Sequence, residues 1–147
     1  MTDPAEVLGA ARTVLVVDWP SRDVPDTFVR AGFATYVHGG PAPDDWYVHE
    51  LDGDEVVVRK VGRPPERADL VYTHRPVDEL GGIAEHGRDL GAGAVWLQSG
   101  LDAAGGKDVT GCWLPEEERA RARGIVEALG LVYLDEPYVA DAVRALD

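Results

Sequence analysis

Residues 11–23 read ARTVLVVDWPSRD, and this stretch decides how the rest of the chain is interpreted. Five strand-forming residues, Thr13 to Val17, lead into Asp18, Trp19 and Pro20. An apolar strand that enters a tight turn is typical of the first unit of a nucleotide-binding α/β fold, where glycine normally occupies the turn. The stretch therefore predicts this kind of fold with an altered first loop.

Four more short apolar runs follow along the chain. With the first, they read TVLVVD (13–18), FATYVH (33–38), DLVYTH (69–74), AVWLQ (94–98) and LVYLD (131–135). Most are continuously apolar, which is typical of strands covered on both faces of a parallel sheet. Helix-like composition occupies residues 24–31, 77–90, 116–129 and 138–146. We expect a Rossmann-like, doubly wound α/β fold with five mostly parallel strands and helices on both faces.

Glycine marks the junctions between these helices and strands. Gly32, Gly91 and Gly130 each follow a predicted helix and precede a predicted strand, where a left-handed cap is easiest for a residue without Cβ. The run EVVVRKV at 55–61 predicts an edge strand or an extended arm, and Leu101 to Leu114 is interpreted as a long loop. No boundary interrupts the pattern, so residues 1–147 are interpreted as one domain.

Composition restricts the classes of partner. The 147 residues carry a formal net charge of −13, which argues against nucleic acid and anionic membranes, because binding to either depends on Lys and Arg. The single cysteine, Cys112, has no partner for an internal disulfide, and it leaves no thiolate cluster for a structural metal. We see no signal peptide and no apolar run of membrane-spanning length, so we expect a cytoplasmic protein.

Polar residues follow each predicted strand. In a doubly wound sheet the ligand lies at the carboxyl ends of the strands, near the point where strand order reverses. We therefore expect a small molecule to bind there. The residues at these positions are Asp18-Trp19-Pro20-Ser21, His38-Gly39-Gly40, His74-Arg75-Pro76, Gln98-Ser99-Gly100 and Asp135-Glu136.

Three segments carry a resemblance to a known family: DLVYTHRP, GAGAVWLQSGL and GLVYLDEPY. In order and spacing, from about Thr13 to Leu146, the chain resembles the small single-domain CoA-binding proteins of the Rossmann type, relatives of the CoA-binding domain of succinyl-CoA synthetase. VWLQSG, which matches the family's fourth-strand V-W-L-Q-x-G, is the most specific piece. The resemblance implies CoA or an acyl-CoA as cofactor.

The resemblance also implies site residues. The family's third-strand arginine falls on Arg75, its fourth-strand glutamine and glycine on Gln98 and Gly100, and its first-loop serine on Ser21. We assign four further residues to cofactor binding because they lie in the same loops. These are Trp19, Gly39, Gly40 and Ser99.

The chain departs from the family at several cofactor contacts. The first-loop glycine is Asp18, whose carboxylate would repel a pyrophosphate. The Asn-Pro-Gly after the second strand is replaced by residues 38–41, which read HGGP, and the phenylalanine before the arginine is His74. Pro137 stands near the last strand where the family has cysteine. The altered contacts leave room for a different use of the crevice.

Several residues have both a chemical and a structural interpretation. Asp18 is either a general base or hydroxyl acceptor, or a helix cap. His38 and His74 would face it across the crevice as an acid/base set, although each alone is equally compatible with a plain loop residue. Arg75 is either an anion clamp or an ion-pair partner. Cys112 is either a nucleophile or a packed thiol.

Three functions remain open from the sequence. The first is a CoA- or nucleotide-binding module without chemistry of its own. The second is a small metabolic enzyme that uses Asp18, His38, His74 or Arg75 for proton transfer on a small polar or acyl substrate. The third is a non-catalytic interaction subunit. The apolar run Val56 to Val58 on the predicted edge is compatible with a homodimer.

Overall fold

The computed structural model describes residues 3–99 and 114–146. Within them the chain forms one sheet with helices packed on its two faces. The strands are β1 (Thr13–Val17), β2 (Ala34–His38), β3 (Trp46–Asp52), β4 (Glu55–Lys60), β5 (Leu70–Thr73), β6 (Ala94–Leu97) and β7 (Val132–Leu134). The helices are α1 (Pro4–Ala10), α2 (Asp23–Arg30), α3 (Val77–Asp89), α4 (Glu116–Ala128) and α5 (Val139–Arg144).

The sheet confirms the predicted fold class. Its strand order is β4-β3-β2-β1-β5-β6-β7, and the five predicted strands β2, β1, β5, β6 and β7 are parallel neighbours. The chain leaves β1 toward β2 and later returns to the other side of β1 as β5. Strand order therefore reverses at β1, which creates a topological switch point at the carboxyl ends of β1 and β5.

Helices cover both faces of the sheet, as the continuously apolar strands indicate. We call the face that packs against α1, α2 and α5 the α2 face, and the face that packs against α3 and α4 the α3 face. Every residue of β5 and β6 is buried. Trp96 and Tyr72 fill the α2 face of these strands, and Val71 and Val95 fill the α3 face. Burial of such side chains contributes roughly 1.5–3 kcal/mol each to folding.

The three junction glycines adopt the predicted left-handed backbone. Their φ angles are +97° at Gly32, +95° at Gly91 and +78° at Gly130, and each ends a turn after a helix. A residue with Cβ is strained in this region, so glycine allows the chain to turn directly from each helix into the next strand.

The sheet has two strands beyond the parallel five. The predicted edge strand at 55–61 is present as β4, and it pairs with β3 through a short turn at Gly53, where φ is +64°. β3 was not predicted, because its sequence WYVHELD alternates only loosely between buried and exposed residues. It pairs antiparallel with β2, and the hairpin therefore extends the parallel sheet by an antiparallel edge.

Helix α1 was also not predicted. Its seven residues begin at Pro4, and the side chain of Asp3 accepts a hydrogen bond from the Ala5 backbone N–H. Leu8 is its buried residue and packs on the α2 face. Among the described residues, the longest helices have 13 residues, and none is long and apolar enough to cross a membrane.

Candidate functional site

A crevice opens at the switch point of the sheet. Its volume is about 640 Å³, which lies within the usual range for small-molecule sites. Loops after β1, β2 and β5 and the first half of α3 form its walls. The lining residues are Val17, Asp18, Trp19, His38, Gly39, Gly40, Pro41, Arg75, Glu79 and Ile83.

Asp18 occupies the turn after β1 with the backbone of a glycine. Its φ is +64°, and it is the non-glycine residue with a positive φ among those described. Aspartate tolerates this conformation because its short side chain can bond locally, and Asp18 Oδ1 accepts a hydrogen bond of 2.8 Å from the Trp19 backbone N–H. The turn therefore keeps the shape of a glycine loop and adds a carboxylate to it.

Arg75 joins the two walls of the crevice. Its Nη1 donates to Asp18 Oδ2 at 3.3 Å, and its Nε and Nη2 donate to the two carboxylate oxygens of Glu79 at 3.1 and 2.7 Å. The hydrogen bond to Glu79 raises the pKa of Arg75 above its ordinary value. These bonds use three of the five guanidinium N–H groups, so within the described residues one N–H on Nη1 and one on Nη2 make no hydrogen bond.

Negative charge surrounds the position where a phosphate would normally bind. The crevice holds two carboxylates, from Asp18 and Glu79, and one guanidinium. Helix α2 begins with Asp23, whose carboxylate accepts from Arg144 at 2.9 Å and from the Tyr138 hydroxyl at 3.0 Å. Burial alone would raise the pKa of Asp23, but these hydrogen bonds outweigh it and lower the pKa. The carboxylate of Asp23, in the first turn of α2, is thus paired with Arg144 of α5.

Aromatic rings form the other side of the crevice. The His38 ring stacks on Trp46 of β3, with ring centroids 4.4 Å apart and an interplanar angle of 24°. Trp19 is half-buried, and its ring meets the edge of His49 at 5.8 Å. Trp19 and His38 therefore both line the crevice, and the ring of each contacts a residue of the unpredicted strand β3.

The two glycines after β2 leave space for neighbouring side chains. A Cβ on Gly40 would collide with Oδ2 of Asp45, and a Cβ on Gly39 would lie 3.3 Å from the Tyr47 ring. The same Asp45 oxygen accepts a 3.0 Å hydrogen bond from the Ala42 backbone N–H. These contacts explain the two glycines by the packing of the 39–45 loop, while their backbone still lines the crevice.

His74, which follows β5, is not among the residues that line the crevice. Its side chain is 4% exposed, and its Nδ1 is hydrogen-bonded to the backbone carbonyl of Gln98. A carbonyl only accepts, so Nδ1 carries the proton in this pair. The structure therefore brings Asp18, His38 and Arg75 together at the crevice and places the His74 ring toward β6.

Gln98 is turned into the protein. Its side chain is 1% exposed, and its Nε2 donates to the carbonyls of Pro137 at 2.9 Å and Asp135 at 3.3 Å. Its Oε1 accepts a 3.0 Å hydrogen bond from the Val139 backbone N–H at the start of α5. The amide thus connects the end of β6 to the β7–α5 turn, and among the described residues it is not part of the crevice lining.

The remaining predicted site residues lie in other places. Ser21 lies near the Tyr138 side chain, and Ser99 is half-buried after β6. Neither lines the crevice as described. Gly100 and Cys112 lie outside the described residues, as does most of the predicted loop from Leu101.

At the end of β7, Asp135 is the centre of a separate network. It is 9% exposed and accepts hydrogen bonds from Arg119 at 2.8 and 3.0 Å and from the Tyr133 hydroxyl at 2.9 Å. The pKa of Arg119 is raised by this pairing, and the pKa of Tyr133 is raised by burial and by the Asp135 charge. These groups hold α4 against β7, which identifies Asp135 as structural.

Sequence reasoning missed Glu79 and Ile83 on α3. The spacing between Arg75 and Glu79, four residues across the start of a helix, is a signal that predicts their ion pair. Within the described residues, no group of three or more His, Cys, Asp or Glu side chains is arranged to hold a metal ion.

The fold and the crevice define an α/β protein with a cavity at the switch point of a Rossmann-like sheet. No family model matches the chain, and no curated protein matches it either. The comparisons therefore assign no ligand class to the crevice.

Proposed function

We propose that the protein binds a nucleotide-like small molecule in the switch-point crevice, with CoA or an acyl-CoA as the first candidate. The observation that carries the proposal is the position of the 640 Å³ crevice at the carboxyl ends of β1, β2 and β5. Open α/β sheets bind their ligands at this position. The resemblance of the 69–76 and 91–101 segments to CoA-binding proteins supports the ligand class.

The ligand would use the crevice differently from a glycine-loop protein. Arg75 offers two N–H groups that its ion pairs leave available, and they suit a phosphate or carboxylate. Asp18 would accept a hydrogen bond from a ligand hydroxyl or amine, and Trp19 would contact a flat ring. We therefore expect the anionic group at Arg75, which is the cationic residue among those that line the crevice.

The test is calorimetry with CoA, acetyl-CoA and AMP on matched variants. Arg75→Ala should weaken binding about tenfold or more, since it removes a charged hydrogen-bond donor worth roughly 1.5–3 kcal/mol. Arg88→Ala is the control, because Arg88 is an exposed arginine of α3 that lies outside the crevice. Asp18→Gly should tighten binding of the phosphate ligands, whereas Asp18→Asn separates loss of charge from the change of backbone preference.

These outcomes decide the proposal. Binding of CoA or AMP that responds to Arg75→Ala and not to Arg88→Ala supports it. If none of the three ligands binds to the wild type or to Asp18→Gly, the nucleotide proposal is wrong.

A second candidate is an enzyme acting by proton transfer on a small polar or acyl substrate. The observation in its favour is that Asp18, fixed by Arg75, shares the crevice with His38. A carboxylate and an imidazole in one cavity can serve as base and acid. The substrate class would combine an anionic group for Arg75 with a proton that Asp18 can remove.

This candidate has a different readout. Turnover of a metabolite from a substrate panel should be abolished by Asp18→Asn, while far-UV circular dichroism stays unchanged. Turnover that survives Asp18→Asn would reject Asp18 as the base. If neither ligand nor substrate is found and the protein copurifies with one stoichiometric partner polypeptide, an interaction subunit becomes the better explanation.

A further inference from the structure

The β3–β4 hairpin leaves one long edge of the sheet uncovered. β4 is the outermost strand of the described sheet, and within that part of the chain no strand pairs with its far side. Val58 on β4 and Leu51 on β3 are both 47% exposed, and they are the large hydrophobic residues that the described surface exposes most. An exposed edge strand of this kind is a template for pairing with another strand.

Hydrogen bonding shows which backbone groups of β4 face outward. The Val61 N–H donates to the Trp46 carbonyl at 2.8 Å, so residues 46 and 61 form a hydrogen-bonded pair of the β3–β4 ladder. Such pairs alternate along an antiparallel ladder. Glu55, Val57 and Arg59 therefore direct their backbone groups toward β3. The N–H and C=O groups of the intervening residues point away from the sheet; these residues are Val56, Val58 and Lys60.

Side chains of β4 divide between the two faces. Arg59 and Val57 lie opposite Val48 and Glu50 on the face that contains Trp46, which is the α3 face. Glu55, two residues before Val57, projects on the same α3 face. Residues 56 and 58 lie opposite Leu51 and His49 and therefore project on the α2 face. The strand thus combines an acidic end, a basic end and valines between them.

Only one antiparallel register of two β4 strands pairs the outward backbone groups, places the valines opposite each other and places the acidic end of each strand opposite the basic end of the other. Residues with outward backbone groups must lie opposite each other, which restricts the register to steps of two residues. With Val57 on the two-fold axis, Val56 lies opposite Val58 of the second copy. Glu55 then lies opposite Arg59 of the second copy. A shift of two residues in either direction removes both Glu55–Arg59 pairs and places one of these charged residues opposite Val57.

We propose that two copies of this chain associate through their β4 edges in that register and form one continuous sheet. The charge pattern favours a second copy as the occupant. The chain as a whole is acidic, with a net charge of −13, so identical surfaces generally repel. At this edge, however, each Glu55 meets an Arg59, and Asp54 of the turn meets Lys60. Opposite charges on directly opposed residues stabilise strand pairing.

One strand pair is a small interface, so the dimer is reversible and depends on protein concentration. Sedimentation equilibrium of the wild type should show a monomer–dimer equilibrium. Glu55→Arg should weaken it at least tenfold, because it places two Arg–Arg pairs across the interface. Arg59→Glu should do the same through two Glu–Glu pairs. Glu85→Arg is the control for net charge, because Glu85 is exposed on α3 and is not part of the β3–β4 hairpin.

The decisive measurement mixes the two weakened variants. A dimer of one Glu55→Arg copy with one Arg59→Glu copy contains two opposite-charge pairs, so mixing should restore association that neither variant shows alone. Loss of folding in a single variant cannot produce this rescue. Val58→Pro is a second probe, because it removes an outward N–H and leaves the bonds to β3 intact.

Several results would overturn the inference. They are a wild type that stays monomeric at the highest soluble concentration, a dimer that is insensitive to Val58→Pro, and a mixture that associates no better than its components. Circular dichroism and urea unfolding of each variant confirm that the compared proteins are folded.

Discussion

Replacing Gln98 distinguishes a structural amide from a ligand contact. The family resemblance implies that Gln98 binds cofactor, whereas its side chain is 1% exposed and makes three hydrogen bonds to the β7–α5 turn. Gln98→Leu keeps similar volume and removes all three. We therefore expect this variant to lose stability, whether or not a ligand is present.

The size of the effect follows from the groups left behind. The Val139 N–H and the Asp135 carbonyl lose the Gln98 hydrogen bonds, while the Pro137 carbonyl keeps a 3.3 Å bond from Trp96 Nε1. A buried polar group without its partner costs roughly 1–3 kcal/mol, so two such groups predict a loss of about 2–6 kcal/mol. Small domains have a free energy of unfolding of about 5–15 kcal/mol.

Urea unfolding measures this loss. With a mid-range denaturant slope of about 2 kcal/mol per molar, the midpoint should fall by about 1–3 M. Gln98→Glu should be at least as destabilising at neutral pH, because a carboxylate cannot donate to the two carbonyls it faces. Glu85→Leu on the exposed side of α3 is the control for replacing a polar residue with leucine, with an expected change within about 0.5 kcal/mol.

One result would refute the structural interpretation. If Gln98→Leu unfolds at the wild-type midpoint and yet loses binding of CoA or AMP, the amide contacts the ligand. A large midpoint shift for Glu85→Leu would show instead that the assay does not separate buried from exposed positions.

Four further predictions concern charge and backbone conformation. Hydrogen bonds from two backbone N–H groups lower the pKa of Asp69. The stability that the Asp69 carboxylate contributes is therefore present above about pH 3.9 and is lost as pH falls through the lowered pKa of the folded state. In urea unfolding across pH, Asp69→Asn should be less stable than the wild type at pH 7 and should converge with it in acid. Burial lowers the pKa of His49 below 6.5, so the wild type should lose stability as pH falls from 7 to 5, and His49→Phe should lose less over that range. Asp18→Val should lose roughly 1–2 kcal/mol because a β-branched residue is strained at φ +64°, whereas Asp18→Gly should stay within about 1 kcal/mol of wild type in the same assay. Arg119→Ala should cost about 1–3 kcal/mol by leaving Asp135 without its guanidinium, and Arg119→Lys should cost less.

Each of these expectations has a contrary outcome. A pH profile of Asp69→Asn parallel to that of the wild type would show that the carboxylate does not carry the acid sensitivity. If His49→Phe loses as much stability as the wild type between pH 7 and 5, His49 is not the source of that loss. Equal unfolding midpoints for Asp18→Val and Asp18→Gly would contradict the backbone argument, and equal midpoints for Arg119→Ala and wild type would contradict the Asp135 network.

Much of the architecture was predictable from local pattern. Short apolar runs predicted all five parallel strands, and those of β5 and β6 are continuously apolar because a strand covered on both faces needs apolar residues at every position. Gly32, Gly91 and Gly130 predicted the helix ends, because a residue with Cβ is strained at their φ angles. The position of the crevice followed from the same argument, since parallel strands all present their carboxyl ends at one edge.

The direction and the partners of the site side chains required the tertiary structure. Gln98 and His74 both follow buried strands, as the sequence indicates, but their hydrogen-bond partners lie 41 and 24 residues away along the chain. The backbone group that lies nearest to each of these side chains depends on how turns and helices pack. The spacing of residues along the sequence does not predict it. The sequence by itself thus determined the five parallel strands and the edge of the sheet at which the polar residues after these strands lie. Packing alone decided that Arg75 faces Asp18 in the crevice while Gln98 turns into the core, because satisfying buried polar groups is a property of the assembled fold.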